Sequence, residues 1–457
     1  MKKVNKPVKA YKGFNKHMQC TLNGKIFQYE IGKEYKEDKA DLCHCGFHAC
    51  ENPLDVLSYY NNIDDKFCEV ELDKIDPNRN KDSKICGKKI KIGIEIGFLG
   101  LFKAGIEWIK NKTIFTKEDF KKLPSSYNAK ISSSDYNAKI GSSSDYARIG
   151  SSGEYVQIGS SGDGTKIGSS GNGAKIGSSG DSTKIGSSGN GAKIGSSGYN
   201  AKIGSSGEYV QIGSSGDDAK IGSSSDNAKI GSSGYNAKIG SSGEYVQIGS
   251  SGDDAQIGSS GYNVKIGSSG YNVKIGSSGD DAKISSSGYN VQIGSSGYNA
   301  QISSSGDDAK IGSSGYNAKI GSSSDNAKIG SSGDGTKIGS SGCNVQIGSS
   351  GDGTKIGSSG NGAKIGSSGY NVKIGSSGDD AKISSSGDDC VIMCAGINSS
   401  AKAKIGSWIT LAEWKYSEEK QRDIPFSVVT KQVDGIEIKE DVYYTLQDGK
   451  FKESEQQ

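Results

Sequence analysis

From Tyr127 onward an apolar residue returns at every ninth position, and a second small or apolar residue stands two places before it. Ile fills positions 131, 140, 149 and so on through 383, which is 29 copies without an insertion, and Ile392 keeps the spacing between Cys390-Val391 and Met393-Cys394. Typical copies read Tyr199-Asn200-Ala201-Lys202-Ile203-Gly204-Ser205-Ser206-Gly207 and Asp217-Asp218-Ala219-Lys220-Ile221-Gly222-Ser223-Ser224-Ser225. Residues two apart, such as Ala129 and Ile131 or Val156 and Ile158, share one face of a strand, and the Lys or Gln between them takes the other. The Gly-Ser-Ser-Gly segment that follows has turn composition. A helix is disfavoured, because most copies put two Gly and a Ser pair into fewer than three helical turns. Each repeat therefore predicts one short strand and one turn. Nine residues are too few to encircle a core, so two repeats are expected per 18-residue coil. Stacked at ~4.8 Å, these make roughly 15 coils and a rod on the order of 70 Å.

Outside the array the patterns are those of ordinary globular segments. Ala10–Phe14 and Phe27–Tyr35 read as two short strands around a turn. Asn52 is placed to cap a helix with Pro53 at its first position. Phe67–Leu72 and Lys89–Ile96 alternate like strands, and Phe98–Lys110 has helical spacing, with Leu101, Ala104, Gly105, Trp108 and Ile109 on its apolar side. In the tail, strands are expected at Trp408–Lys415, Phe426–Val433, Ile436–Ile438 and Val442–Leu446, with a turn at Asp434-Gly435. Trp408 and Trp414 read as core residues rather than sugar-stacking ones. The chain is thus expected to be mainly β, with an α+β head (1–124), a nonapeptide-repeat β-solenoid (125–392) and a β-rich C-terminal cap (393–457). Head and tail are the expected caps of the solenoid.

Composition supports this division. Of 457 residues 69 are Gly and 5 are Pro, and the apolar classes reach only 32%. That excludes a conventional enzyme of this length, with several large cores, and collagen, which needs Gly at every third position and abundant Pro. No run approaches the 18 or so apolar residues of a membrane span. The formal charge is +3, so global charge points to no polyanionic partner. Within the array, however, the residue before Ile is Lys or Arg in 22 of the 29 copies and Gln in 7. Interleaved Asp residues argue that this is a solvated face that guards the sheet against aggregation rather than a surface for a polyanion such as nucleic acid or an acidic glycan. Tyr falls on odd and even repeats alike, which marks neither face of the coil.

Three groups of side chains suggest chemistry. Cys43, Cys45, His48 and Cys50 offer soft metal ligands, although the spacing is not that of a structural zinc site and plain thiols in a reducing compartment are the favoured reading. His48 and Cys50, two apart on a strand, form a nucleophile pair with no third orienting group. Six Asp-Asp copies (217/218, 253/254, 280/281, 307/308, 379/380, 388/389) bring carboxylates to the turns. They resemble the calcium-binding nonapeptides of RTX toxins, but with the apolar positions displaced by one; solvated turn carboxylates are expected. The order Tyr-Lys-Gly-Phe, Gly-Phe-His-Ala-Cys and Glu-Val-Glu resembles compact ADP-ribosyltransferase-like proteins. That resemblance implies roles for Lys12, Glu69 and Glu71, while Ala49-Cys50 departs from the Ser/Thr element of that pattern.

Two separated blocks carry a second resemblance. The head motifs Tyr-Lys-Gly-Phe-Asn-Lys (11–16) and Gly-Phe-His-Ala-Cys-Glu-Asn-Pro-Leu-Asp-Val-Leu (46–57) occur with the tail motifs Glu413-Trp414-Lys415, Val433-Asp434-Gly435 and Tyr443–Phe451. This order is similar to an uncharacterised family of phages and prophages of Gram-positive bacteria, whose members carry short Gly/Ala/Ser-rich repeats between the two ends. It implies phage or prophage origin and no particular activity. The basic N-terminus lacks a following apolar stretch, and nine Cys lack a disulfide-like framework. The host cytoplasm or a phage particle, without Sec secretion, is the expected location. The expected role is non-catalytic and needs no cofactor: an elongated scaffold or interaction surface with a protein or glycan partner, no membrane and no nucleic acid. A receptor-binding rod and a transferase-like head displayed on a rod are the alternatives.

Overall fold

The computed structural model describes residues 7–22, 25–42, 44–60, 65–78, 83–113 and 127–454. The chain forms two compact units, residues 1–255 with 265–268, and residues 256–264 with 269–457.

The first unit holds the head and the first coils. Strands β1 (Val8–Phe14), β2 (Gln19–Leu22), β3 (Lys25–Gln28), β4 (Glu34–Lys36), β5 (Phe47–Cys50), β6 (Lys66–Ile75) and β7 (Lys84–Glu95) precede the helix α1 (Gly97–Thr113). Five of them make an antiparallel sheet in the order β4-β7-β5-β1-β6, and β2 and β3 pair separately. The segment expected as one strand over Phe27–Tyr35 is therefore split, with a positive-φ glycine, Gly32, in the connection. One sheet face buries Ala10, Phe14, Phe47, Val70, Ile85, Ile90 and Ile92 around Tyr29. The other packs Tyr11, Cys50 and Phe67 against Leu54, Leu57, Leu101 and Phe102. Asn52 caps a helix as expected, its side chain accepting a hydrogen bond from the Leu54 N–H at 3.2 Å. That helix is a single 3-10 segment, Pro53–Ser58.

Each repeat contributes one four-residue strand of the form Lys-Ile-Gly-Ser. Strands from alternate repeats lie parallel and in register, each beside its counterpart two repeats on: Ile149 pairs with Ile131 and Ile167, and Ile158 with Ile140 and Ile176. Two parallel sheets result, here called A for repeats in phase with Ile131 and B for those in phase with Ile140. The 32 strands from Lys130–Ser133 to Trp408–Ser417 make 16 coils. The coil outlasts the repeat consensus: Ile392 pairs with Ile409 and Cys394 with Leu411, so the last coil falls one position short of two full repeats. Inside run a ladder of Ile and a ladder of Ala, Val or Thr, almost all under 5% exposed.

The corner chemistry explains the residue choices. The second residue of every described repeat has φ between +52° and +68°, and is mostly Asn, Asp or Gly. Those side chains tolerate the left-handed region best. Tyr146, Tyr155, Tyr209 and Tyr245 are the bulky exceptions. An Asp or Asn just before this residue caps the backbone one coil on, as Asp145 Oδ1 does for the Asp163 N–H (2.9 Å) and Asp217 Oδ1 for the Tyr235 N–H (2.8 Å). Only part of the Gly-Ser-Ser-Gly segment is turn. Its first Gly and first Ser belong to the strand, where the Ser side chain faces inward, and the turn begins near the second Gly. There a Cβ on Gly216 would stand 1.9 Å from the Gly198 carbonyl oxygen of the preceding coil.

In the second unit the tail ends both sheets with antiparallel strands. Arg422–Gln432 pairs along Trp408–Ser417 and finishes sheet B, while Tyr444–Gln447 joins Ser400–Lys402 at sheet A and pairs in turn with Lys450–Glu453. The Asp434-Gly435 turn is present, with Asp434 Oδ1 accepting N–H bonds from Ile436, Glu437 and Ile438, but Ile436–Ile438 forms no strand.

Candidate functional site

The residues suggested by the head sequence do not converge. Lys12 is buried on the Tyr29 side of the sheet, where its ammonium donates to the His48 carbonyl (2.9 Å) and lies 5.6 Å from the centroids of both Phe14 and Tyr29. Burial pulls its pKa down. Glu69 sits directly across from Tyr11, and Glu71 from Lys9, so both occupy the opposite face of the same sheet. Glu69 is ion-paired there with Lys9 at 2.9 Å, and Glu71 is exposed. A nicotinamide ribose held by the two glutamates would be separated from Lys12 by the thickness of the sheet.

The thiols are likewise dispersed. Cys50 is 3% exposed within the Leu54–Phe102 core, whereas Cys45 lies in the Asp41–Cys45 bridge, its carbonyl accepting from the Cys86 thiol at 3.0 Å. Cys43 falls outside the described residues. Among the described residues no three His, Cys, Asp or Glu side chains are grouped as metal ligands, and none of the eight cysteines described is in a disulfide. Burial holds the Cys68 and Cys86 thiols protonated, with pKa values pushed up to about 12. Burial, aided by the Lys12 and Lys84 charges, lowers the His48 pKa to about 4. An unfolded His titrates near 6.5, so between pH 6.5 and 4 the unfolded head binds more protons and stability falls with falling pH. Solvent screening of the partly exposed ring holds the loss to about 2 kcal/mol. Urea titrations across that window are expected to show this limb in the native chain and a flatter one in His48→Gln; identical limbs would exclude His48 as its source.

What the head does build is a docking surface against the solenoid flank. The helix α1 lies across sheet B, and the expected end-cap role for the head is replaced by a lateral one. The reason is the strand glycine. In sheet B every such position from Gly141 to Gly267 is Gly and is buried, which leaves a smooth track for Phe98, Phe102 and Ile106. A Cβ at Gly249 would come 2.6 Å from the Phe102 ring, and one at Gly267 2.9 Å from the Phe98 ring. The other side of α1 presses on the head, with Gly105 against Leu54. A buried polar cluster fixes the seat: the Gln211 amide donates to Asp55 Oδ1 (2.8 Å), Asn52 donates to Gln211 Oε1 (2.9 Å) and to Asp55 Oδ1 (2.9 Å), and the Lys229 ammonium reaches the Leu54 carbonyl (2.8 Å) and Ser58 Oγ (3.0 Å). Burial opposes ionisation of Asp55, but Lys193, Lys229 and the bonds from Gln211 and Ser83 outweigh it and leave its pKa below normal. Lys193 also lies over the Trp108 ring at 5.1 Å.

A signal for this seat stood in the sequence. The Glu-Tyr-Val-Gln copies end at Gln157, Gln211 and Gln247; all three fall on sheet B, and Gln211 and Gln247 are buried. Tyr alone hides this parity; the four-residue variant shows it. A second parity signal is the Asp-Asp copies, five of which stand two repeats, hence one coil, after a Tyr-Asn copy. Tyr199 is hydrogen-bonded to Asp218, Tyr235 to Asp254, Tyr289 to Asp308 and Tyr370 to Asp389. These carboxylates are engaged by the neighbouring coil.

Sheet A in the first unit is different. From its second coil on it presents outward an exposed cation, a glycine with open space above it and an exposed Ser, as in Lys166, Gly168 and Ser170, while the first coil has Ser132 at the glycine position. Like charges in such a row repel by about 1 kcal/mol per neighbouring pair in water.

In comparison with known proteins, the family described as "Domain of unknown function (DUF7666)" matches residues 8–104, that is, the head sheet and the first half of α1. No curated protein and no solved structure matches the chain. Among the described residues no helix is long and apolar enough to cross a membrane.

Proposed function

We propose that this chain is a non-catalytic repeat scaffold of phage or prophage origin that presents a regular interaction surface in the host cytoplasm or on a phage particle. The observation that carries the reading is the division of labour between the two sheets of the first unit: the head spends its helix on covering sheet B there, and among the described residues the sheet A face beside it stays exposed. The separation of Lys12 from Glu69 and Glu71 supports the non-catalytic part, and the paired head and tail motifs support the phage origin. NAD⁺ consumption by the full chain is the direct test. Turnover no greater than a protein-free blank is expected; turnover that Glu69→Gln with Glu71→Gln abolishes would replace the scaffold with a transferase.

A further inference from the structure

The sheet A face of the first unit carries seven cations in unbroken succession: Lys130, Arg148, Lys166, Lys184, Lys202, Lys220 and Lys238, each paired in register with the next. All seven are exposed. Among the described residues none forms an ion pair; the Asp218 carboxyl, held below its ordinary pKa chiefly by hydrogen bonds from Tyr199 and Asn236, also feels Lys220 and Lys238. Up to residue 255 Gln replaces the cation at 157, 211 and 247, all on sheet B, and the sheet A row ends at Gln256. Unpaired with any carboxylate at salt-bridge distance, cations about 4.8 Å apart repel one another, so the row is best matched by a ligand that neutralises it coil by coil.

Beside the row run a strip of glycines, Gly168, Gly186, Gly204, Gly222 and Gly240, where an added Cβ would meet nothing within 4 Å, and a row of exposed hydroxyls, Ser170, Ser188, Ser206, Ser224 and Ser242. The face is flat, hydroxylated and positively charged, with no aromatic ring on it; the tyrosines stand at the corners. Single-stranded nucleic acid calls for aromatic platforms that stack its bases, which this face lacks. We infer that this face binds a linear acidic polysaccharide laid along the coil stack, its carboxylates on the cation row and its hydroxyls on the serine row. The inference rests on the scaffold reading and names the partner of that scaffold.

The test uses the full chain and polygalacturonate, with neutral dextran and oligo-dT as competitors. Lys166→Gln, Lys184→Gln, Lys202→Gln and Lys220→Gln combined keep a side chain that the repeat itself uses at this position, so folding is retained. Binding is expected to weaken tenfold or more with a shallower salt dependence, whereas the same four changes dispersed over both sheets at Lys274, Lys283, Lys328 and Lys355, no two of which are neighbours in a row, alter it less than twofold. Ser170→Ala, Ser188→Ala and Ser206→Ala are expected to weaken polygalacturonate binding severalfold. Equal weakening by both lysine sets, oligo-dT binding as tight as polygalacturonate, or no binding at all overturns the inference. NAD⁺ turnover followed in the same preparations separates the two failures: turnover sinks the scaffold reading, and missing polysaccharide binding without turnover sinks the ligand alone.

Discussion

Gly249→Leu frees the head from the solenoid, while Gly240→Leu leaves it seated. Both residues occupy the strand glycine of a Lys- or Gln-Ile-Gly-Ser repeat, and the sequence around them is nearly the same. The difference is parity. On sheet B a Cβ at Gly249 would come 2.6 Å from the Phe102 ring, and on sheet A a Cβ at Gly240 meets nothing within 4 Å. Overpacking a seam of this kind costs roughly 1–3 kcal/mol when neighbours can shift, and here the obstacle is an aromatic ring 2% exposed and held between two packed surfaces. Detachment also uncovers Phe98 and Ile106 and strands the Asn52–Asp55–Gln211 cluster, at about 2 kcal/mol for each apolar side chain. The expected readouts are a red shift of fluorescence from Trp108, which leaves Lys193, and amide exchange in α1 accelerated at least a hundredfold. Matching behaviour of the two variants would mean that the glycine track is not what seats the helix.

The second large effect concerns the corner glycine. Gly180→Ser, Gly198→Ser and Gly216→Ser together unfold the coil stack at far lower urea than Gly180→Ser, Gly216→Ser and Gly252→Ser. The composition is identical; only the stacking differs. A Cβ at Gly198 or Gly216 would stand 2.0 and 1.9 Å from the carbonyl oxygen of the equivalent glycine one coil back, so any side chain there forces the backbone to yield. Ser225 and Ser324 show that one coil can yield: each is buried, and each has Gly at the equivalent place in the coil before and after. Three in succession remove the slack. The alternating set is expected to cost about 1 kcal/mol per site and the stacked set several times more, in keeping with backbone strain that neighbours cannot share. Circular dichroism during urea unfolding checks this, and coincident midpoints would refute it.

Much of the fold was readable from one period. Ile at strict phase nine, with a small residue two places earlier, led to strands, and the shortness of the repeat led to two per coil. The limits of the array were less readable, since Ile409 and Leu411 continue the coil with none of the consensus around them. The seat of the head stayed hidden for a physical reason. Glycine serves three purposes here: open strand surface on sheet A, a track for α1 on sheet B, and close backbone approach at the corner. Composition reports their sum. Only the comparison of odd with even repeats separates them, as Gln157, Gln211 and Gln247 show. The site candidates failed to assemble for a related reason: Lys12 and Glu69 are close in strand register, but alternation sends their side chains to opposite faces.

The two-repeat coil also constrains how such an array changes length between generations. Repetitive DNA gains and loses units by unequal recombination, and the unit most readily exchanged here encodes a single nonapeptide. Removing one copy ahead of Gln211 would move every later repeat to the other sheet. Gln211 and Lys229 would leave the head, and the glycine track would take on whatever sheet A carried. Removing two copies merely shortens the stack. Selection on a protein built this way therefore counts repeats in pairs, and variants that differ by an even number of nonapeptides are the ones expected to persist.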